Sequence, residues 1–319
     1  MTSPLKTILD REKAIADVTE HFGDQLEMMR DVVNYGTQLV PRCYESSDER
    51  LVDIVLLVAL CKHAVAMLDA VEIHVSSGAL LASHTSARAL YEATLYCTWI
   101  MHEESDFRAK CYYVWNLRQR KMWTKRMIPD TPEYSSFQQC RDYFFPSANE
   151  SKPHKKGGEP KFEEASAALA SIEELLASPT YNSINATFEQ LRGRQAHDPR
   201  WYEPSGVKSI RAMADKLELL PEYTIFYELL CDVVHARCFS RHVKFQDSAV
   251  VFEPIRDLEK IDFILNVTIS LAFRHYKEML QRYRPQELEN FRRKYKDEWR
   301  KPFRSVKSVK YNSILQPRP

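Results

Sequence analysis

The sequence predicts an all-α protein: a helical bundle that carries an inserted polar helical segment, with the terminal helices packed around its outside. Three observations carry this expectation. Glycine is scarce, 7 in 319 residues, and tight β-hairpins lean on glycine at positive φ. Apolar residues recur with the helical period through most of the chain. Two stretches, "TSARALYEATLYCTWIM" (85–101) and "YTIFYELLCDVVHA" (223–236), are apolar nearly all round, as a helix buried on most sides must be.

Taken in chain order, residues 1–46 supply an N-terminal helix (about 10–39) expected to lie on the bundle. Residues 47–127 form the first half of the core, with helices near 47–76, 82–104 and 106–127. Gly78 follows the first of these and Ser105 precedes the last, both ordinary stop and start signals. Residues 128–206 are more polar and read as the inserted segment, with helices at 161–177 and 183–194. The stretch "PSANESKPHKKGGEP" (146–160), almost without apolar content, reads as a flexible loop. Residues 207–283 return as the second half of the core, with helices near 207–219, 222–238 and 256–283. Pro221 opens the second of these, and "VKFQDSAVVFEP" (243–254) alternates enough to be a short strand or extended arm. Pro285 then breaks the chain into a last helix (286–301), and a basic tail completes residues 284–319.

Composition narrows the function classes. The 45 basic and 44 acidic residues give no global field, so contact with nucleic acid has to come from a local patch. Seven cysteines with no CxxC pair indicate a reducing, cytoplasmic setting. The N-terminal residues "MTSPLKTILDREKAIAD" lack the apolar core of a signal peptide. The longest unbroken apolar run, "IVLLVALC" (54–61), falls short of a membrane span, so no membrane is expected. No GxGxxG, P-loop, HExxH, GxSxG or kinase signature occurs, which argues against the large enzyme classes they mark.

Within the two greasy helices the few ionisable groups become informative. Arg88 and Glu92, spaced i,i+4, leave one face of the first. Unpartnered in a buried helix they would be costly, so they form either a structural ion pair or the floor of a polar pocket with guanidinium donors for an anion. Glu228, Asp232 and His235 make one stripe of the second helix. Asp232-x-x-His235 is half of the carboxylate–histidine motif that binds metals in helical bundles. No second Asp/Glu-x-x-His occurs, so no metal and no cofactor is expected. "WNLRQRKMWTKR" (115–126) holds Arg118, Arg120, Lys121, Lys125 and Arg126 interleaved with Trp115 and Trp123, a pattern suited to phosphate contact and base stacking or simply to a solvated face. "RRKYKDEWRKPFRSVKSVK" (292–310) has nine basic residues against two acidic ones.

Arg237-Cys-Phe-Ser-Arg-His242 fits the R-x4–6-H signature of the HEPN ribonucleases (higher eukaryotes and prokaryotes nucleotide-binding), and Arg192 to His197 fits it too. In that family the histidine assists attack by the ribose 2′-hydroxyl and the arginine steadies the phosphate, the two meeting across a dimer. The polar residue that commonly follows the family's arginine is Cys238 here.

A second resemblance covers two longer blocks. "LCKHAVAMLDAVEIHVSSGALLASHTSARALYEATLYCTWI" (60–100) resembles the front half of an all-helical bacterial family of unknown function, number 5677, through Gly78, Arg88, Glu92 and Trp99. "WYEPSGVKSIRAMADKLELLPEYTIFYELLCDVVHA" (201–236) resembles its back half, through Trp201, Tyr223, Tyr227 and His235, with Cys231 where the family commonly has a small polar residue. The resemblance implies a HEPN-like outline and draws attention to His235 rather than to Arg237 and His242. Related proteins often belong to phage-defence or toxin–antitoxin loci, which implies RNA as partner.

These readings leave three functions open. The first is a metal-independent ribonuclease, homodimeric, with His235, Arg88, Glu92 and Tyr227 at its site and Arg237 and His242 as further candidates. Histidine is the residue type whose ordinary pKa allows both proton transfers at neutral pH. The second is a non-enzymatic module that binds nucleic acid or a small anion. The third is a helical metal protein.

Overall fold

The computed structural model describes residues 9–144, 162–193, 197–246, 249–253, 255–256 and 258–309. The chain divides into two compact units, one built from 1–104 with 211–319 and the other from 105–210. Both are helical, and among the described residues the only strands form one short hairpin. The expected loop at 146–160 lies outside the described residues.

In the first unit α1 (Arg11–Glu45) begins at Asp10, whose side chain accepts the Lys13 amide at 2.8 Å. Such a cap satisfies one of the N–H groups a helix start leaves free. α2 opens with π-wound turns (Val52–Val58) and continues as Ala59–Ser76. Gly78, at φ +70°, turns the chain into α3 (Leu80–His102). After the second unit, α8 (Ile210–Lys216) leads to α9, which comprises Leu220–Glu222, a π turn Tyr223–Tyr227, and Glu228–Val234. The hairpin β1 (Val243–Gln246) and β2 (Ala249–Phe252) pairs antiparallel with Val243 opposite Phe252. α10 (Ile261–Tyr283) and α11, made of Leu288–Lys294, a π turn Tyr295–Trp299 and Arg300–Arg304, complete the unit.

The core is formed where α2 packs between α1 and α3, α10 packs on all three, and α9 lies on α3. Trp99, Trp299, Tyr91, Tyr276, Phe22 and Met29 are its largest sealed side chains. At roughly 1.5–3 kcal/mol for each fully buried side chain, such groups supply most of the driving force. α1 packs on the bundle through one sealed face: Val18, Phe22, Met29, Val32 and Leu39 are wholly buried. Gly36 permits its approach, since a Cβ there would stand 2.1 Å from the Tyr276 hydroxyl and 2.7 Å from Val65. By length and composition the helix Val52–Ser76 could cross a membrane, and half of its most apolar window is buried in the unit.

The second unit holds α4 (Ser105–Lys125), α5 (Pro132–Phe144), α6 (Phe162–Ala177) and α7 (Asn182–Arg192). Its core gathers Cys111, Val114, Leu117, Ile172, Leu176, Ile184 and Phe188. This moves a boundary: α4, expected in the first half of the main core up to 127, belongs to the second unit, and the division falls at 104–105. The signal is local, an extended Glu103 and a left-handed Glu104 (φ +45°) immediately before Ser105.

Candidate functional site

The candidate site lies in the first unit, where α9 crosses α3. Arg88 and Glu92 leave α3 one turn apart, and the Arg88 Nε donates to Glu92 Oε1 at 3.1 Å. Tyr227, 7 % exposed, leaves the π turn of α9 and meets both: its hydroxyl accepts from Arg88 Nη2 at 3.0 Å and donates to Glu92 Oε1 at 3.0 Å. Its ring stacks on Tyr223 (5.0 Å, 25°) and lies 5.0 Å from the Arg88 guanidinium carbon. A π turn adds a residue to one turn and is frequent at functional positions. Arg88 Nη1 reaches His235 Nε2 at 3.4 Å. Side chains drawn from 147 residues apart in sequence thus surround one guanidinium.

Electrostatics fix the roles. Burial opposes the Arg88 charge, but Tyr227 and Glu92 outweigh it and its pKa rises. Burial, reinforced by Glu92, pushes the Tyr227 phenol up, so it stays protonated and can donate. Cys231 sits in the same group and burial raises its thiol pKa, which keeps it a poor nucleophile at neutral pH.

His235 is the C-cap residue immediately after Val234, the last residue of α9, and is exposed. Its amide closes on Cys231, and Arg237 N–H bonds Asp232 C=O at 2.7 Å, a closing bond that needs a left-handed residue between them. That residue is Ala236 at φ +53°, where glycine would ordinarily stand.

α9 corrects the expectation of burial on most sides. It seals Tyr227 and Leu230, but Ile225 (54 % exposed) and Leu229 face solvent. Glu228 and Asp232 are exposed as well, so the stripe they share with His235 does not project into the bundle as a metal site requires. Among the described residues no group of three or more His, Cys, Asp or Glu could hold a metal ion.

Among the described residues Arg237 and His242 make no side-chain hydrogen bond or ion pair with Arg88, Glu92, Tyr227 or His235. Both are exposed, and His242 Nε2 lies 3.4 Å from Cys238 Sγ. Between them, Arg241 turns inward to His84, a contact the sequence reading missed: Nη1 donates to His84 Nε2 at 2.8 Å while Nδ1 meets the Leu80 carbonyl at 2.8 Å. His84 is 1 % exposed, and burial lowers its pKa to about 4. Only its place one turn beyond Leu80 could have hinted at it.

The expected nucleic-acid patch on α4 is mostly neutralised. Arg118 is buried and committed, donating to Asp198 (2.8 and 3.0 Å), Asn185 (2.7 Å) and Glu189 (2.7 Å). It is therefore a structural hub of the second unit and is removed from the contact set. Lys121 pairs with Glu173 at 2.9 Å, Lys125 lies 3.8 Å from Glu133, and Arg126 stacks over Trp123 at 4.2 Å. Arg120 is exposed.

Residues 54–249 match the model of the "Family of unknown function (DUF5677)". No curated protein and no solved structure matches the chain.

Proposed function

We propose, for a chain that belongs to the DUF5677 family across more than half its length, that the Arg88–His235 edge binds a phosphodiester and that the protein is a metal-independent ribonuclease. One observation carries this reading. Glu92 and Tyr227 occupy two of the three nitrogens of Arg88, and the third, Nη1, meets an exposed His235 at 3.4 Å. A non-bridging phosphate oxygen accepts from Nη1. His235 takes the 2′-hydroxyl proton as that oxygen attacks phosphorus, then returns it to the departing 5′-oxygen, leaving a 2′,3′-cyclic phosphate. Glu92 and Tyr227 position Arg88 and take no part in proton transfer.

The reading includes a cytoplasmic setting, in keeping with seven free cysteines, and a homodimer. Among the described residues Ile225, Leu229, Phe239, Phe245, Phe252 and Ile255 concentrate exposed apolar surface in one segment. Taking about 200 Å² for each of these side chains, this is roughly 700 Å² per copy, toward the lower end for a stable pair. In this arrangement Arg88 and His235 meet within one chain, so each copy holds its own site.

The test is RNA cleavage in EDTA. Wild type is expected to cleave, His235→Ala to lose at least about 100-fold in kcat, and Arg88→Lys to raise KM because a single ammonium cannot serve Glu92, Tyr227 and phosphate together. Undiminished cleavage by His235→Ala refutes the assignment. A second reading is favoured by how little of Arg88 is free, its side chain being 20 % exposed: a non-catalytic site for a small anion. Arg88-dependent binding of inorganic phosphate with no cleavage by wild type selects it.

A further inference from the structure

The C-terminal helix α11 presents a row of cations that the rest of the unit does not neutralise. One side of it is anchored: Phe291, Tyr295, Trp299 and Phe303 all pack around Phe273 of α10, Trp299 with its ring stacked at 5.3 Å and 19°. The Trp299 indole N–H donates to Asp31 at 2.7 Å, and Gln25 of α1 donates to the Pro302 carbonyl at 3.2 Å. The helix is therefore held rigidly against α1 and α10.

On the opposite side Arg293, Lys296, Arg300 and Arg304, spaced three, four and four residues apart, are all exposed. Lys301 and Lys307 are exposed beside them. Among the described residues none of these six forms an ion pair; Arg293 donates only to Asn290 at 3.0 Å. The carboxylates nearby are largely taken, Glu298 by Lys294 and Glu289 by Arg292 at 3.5 Å. Glu289, Asp297 and Glu298 are all exposed, and of the three Asp297 is the one that forms no ion pair among the described residues.

We propose that this face of α11 is a docking surface for the phosphate backbone of nucleic acid, independent of whether the Arg88–His235 site cleaves it. Rows of arginine and lysine one helical turn apart meet successive phosphates, and a pre-anchored helix loses little entropy on binding. Nucleic acid is favoured over a lipid surface because an interfacial helix must bury an apolar face in the bilayer. The apolar face of α11 is already spent on Phe273. With no aromatic left for stacking on bases, recognition is of backbone and not of sequence.

The experiment measures binding of the full chain to a fluorescein-labelled single-stranded deoxy-oligonucleotide, which lacks the 2′-hydroxyl and so cannot be cleaved by the route above. Four phosphate contacts predict a slope of log K against log salt of about −3, equivalent to an affinity loss of about 50-fold between about 50 and 200 mM salt. Lys296→Gln/Arg300→Gln/Arg304→Gln should bind at least about tenfold more weakly at low salt, with a slope near −0.7. Because those side chains are exposed, its melting temperature should stay close to wild type; each single variant, which disturbs the fold still less, should remove about 0.7 from the slope. Lys121→Gln/Lys125→Gln should leave the slope unchanged. A wild-type slope in the triple variant overturns the proposal. So does a protein that ignores the oligonucleotide and the matching RNA at low salt, or one that instead binds vesicles containing phosphatidylglycerol. Loss of RNA cleavage with binding intact would count against the ribonuclease reading alone.

Discussion

Lowering the pH from 7 to 5 should destabilise the first unit through two imidazoles sealed in its interior. His275 of α10 is fully buried with neither ring nitrogen hydrogen-bonded, and burial lowers its pKa to about 3. His84 is lowered to about 4 by burial, with Arg241 adding to the effect. In the unfolded chain both return to about 6.5. Between those values the unfolded state holds more protons than the folded one, so stability is fully present above about 6.5 and falls as pH falls. At 1.36 kcal/mol per unit, pH 5 costs about 2 kcal/mol for each histidine and about 4 kcal/mol for the pair. In a unit of this size that corresponds to a melting temperature roughly 8–16 °C lower. Hydrogen exchange of the α10 amides reads the opening free energy of this unit without interference from the second. In His275→Phe the loss should shrink to about half, because one of the two protons is gone. At neutral pH the variant should match or exceed wild type, since two orphaned nitrogens are replaced by an apolar ring. Equal pH slopes in wild type and His275→Phe would refute the claim that His275 is held as a buried, neutral imidazole.

Three further outcomes follow from packing and charge. Gly36→Ala should lower stability by about 1–3 kcal/mol, although alanine in a helix interior ordinarily adds up to about 1 kcal/mol; the sealed Tyr276 ring cannot swing away, and a raised denaturant midpoint would contradict this. Arg118→Ala should cost the second unit about 2–4 kcal/mol, below the usual range for a buried pair because Glu189 is 58 % exposed; exchange of the α7 amides measures it. Ala236→Gly should stabilise by about 0.5–1 kcal/mol, the left-handed strain of alanine less the added freedom of glycine in the unfolded chain, and a lower urea midpoint would show that Ala236 is unstrained.

How much of this was legible in the sequence depended on the range of each interaction. The helix class, most helix positions and the Arg88–Glu92 pair rest on spacing within one or two turns, where side chains and period are coupled. α5 escaped because "PEYSSFQQCRDYF" carries no clear apolar period. Arg118 was misread for another reason. From Trp115 to Arg126 it sits among cations and looks like one of a surface group, while the acids that bury it, Glu189 and Asp198, lie 71 and 80 residues further on. Charge patterning in one segment cannot report partners supplied by another. The same blindness ran in the other direction at α11, whose basic run reads as a tail until its aromatic residues are seen gripping Phe273.

The irregular turns of α9 explain why the residues of the candidate site converge at all. Tyr227 and His235 are eight residues apart, which in an unbroken α-helix means about 12 Å along the axis and a rotation of about 80°. No single guanidinium is reached from both positions without some departure from that geometry. Two departures occur, and they flank the segment: the π turn ending at Tyr227 and the left-handed Ala236 that stops the helix at Val234. The first sets the direction of the tyrosine onto Arg88; the second frees His235 from helical position so that its ring can return to the same group. The left-handed residue also closes the helix end through the Arg237–Asp232 bond. The placement of the two departures on both sides of one arginine accounts for the convergence, and it leaves His235 as the member of the cluster exposed to solvent.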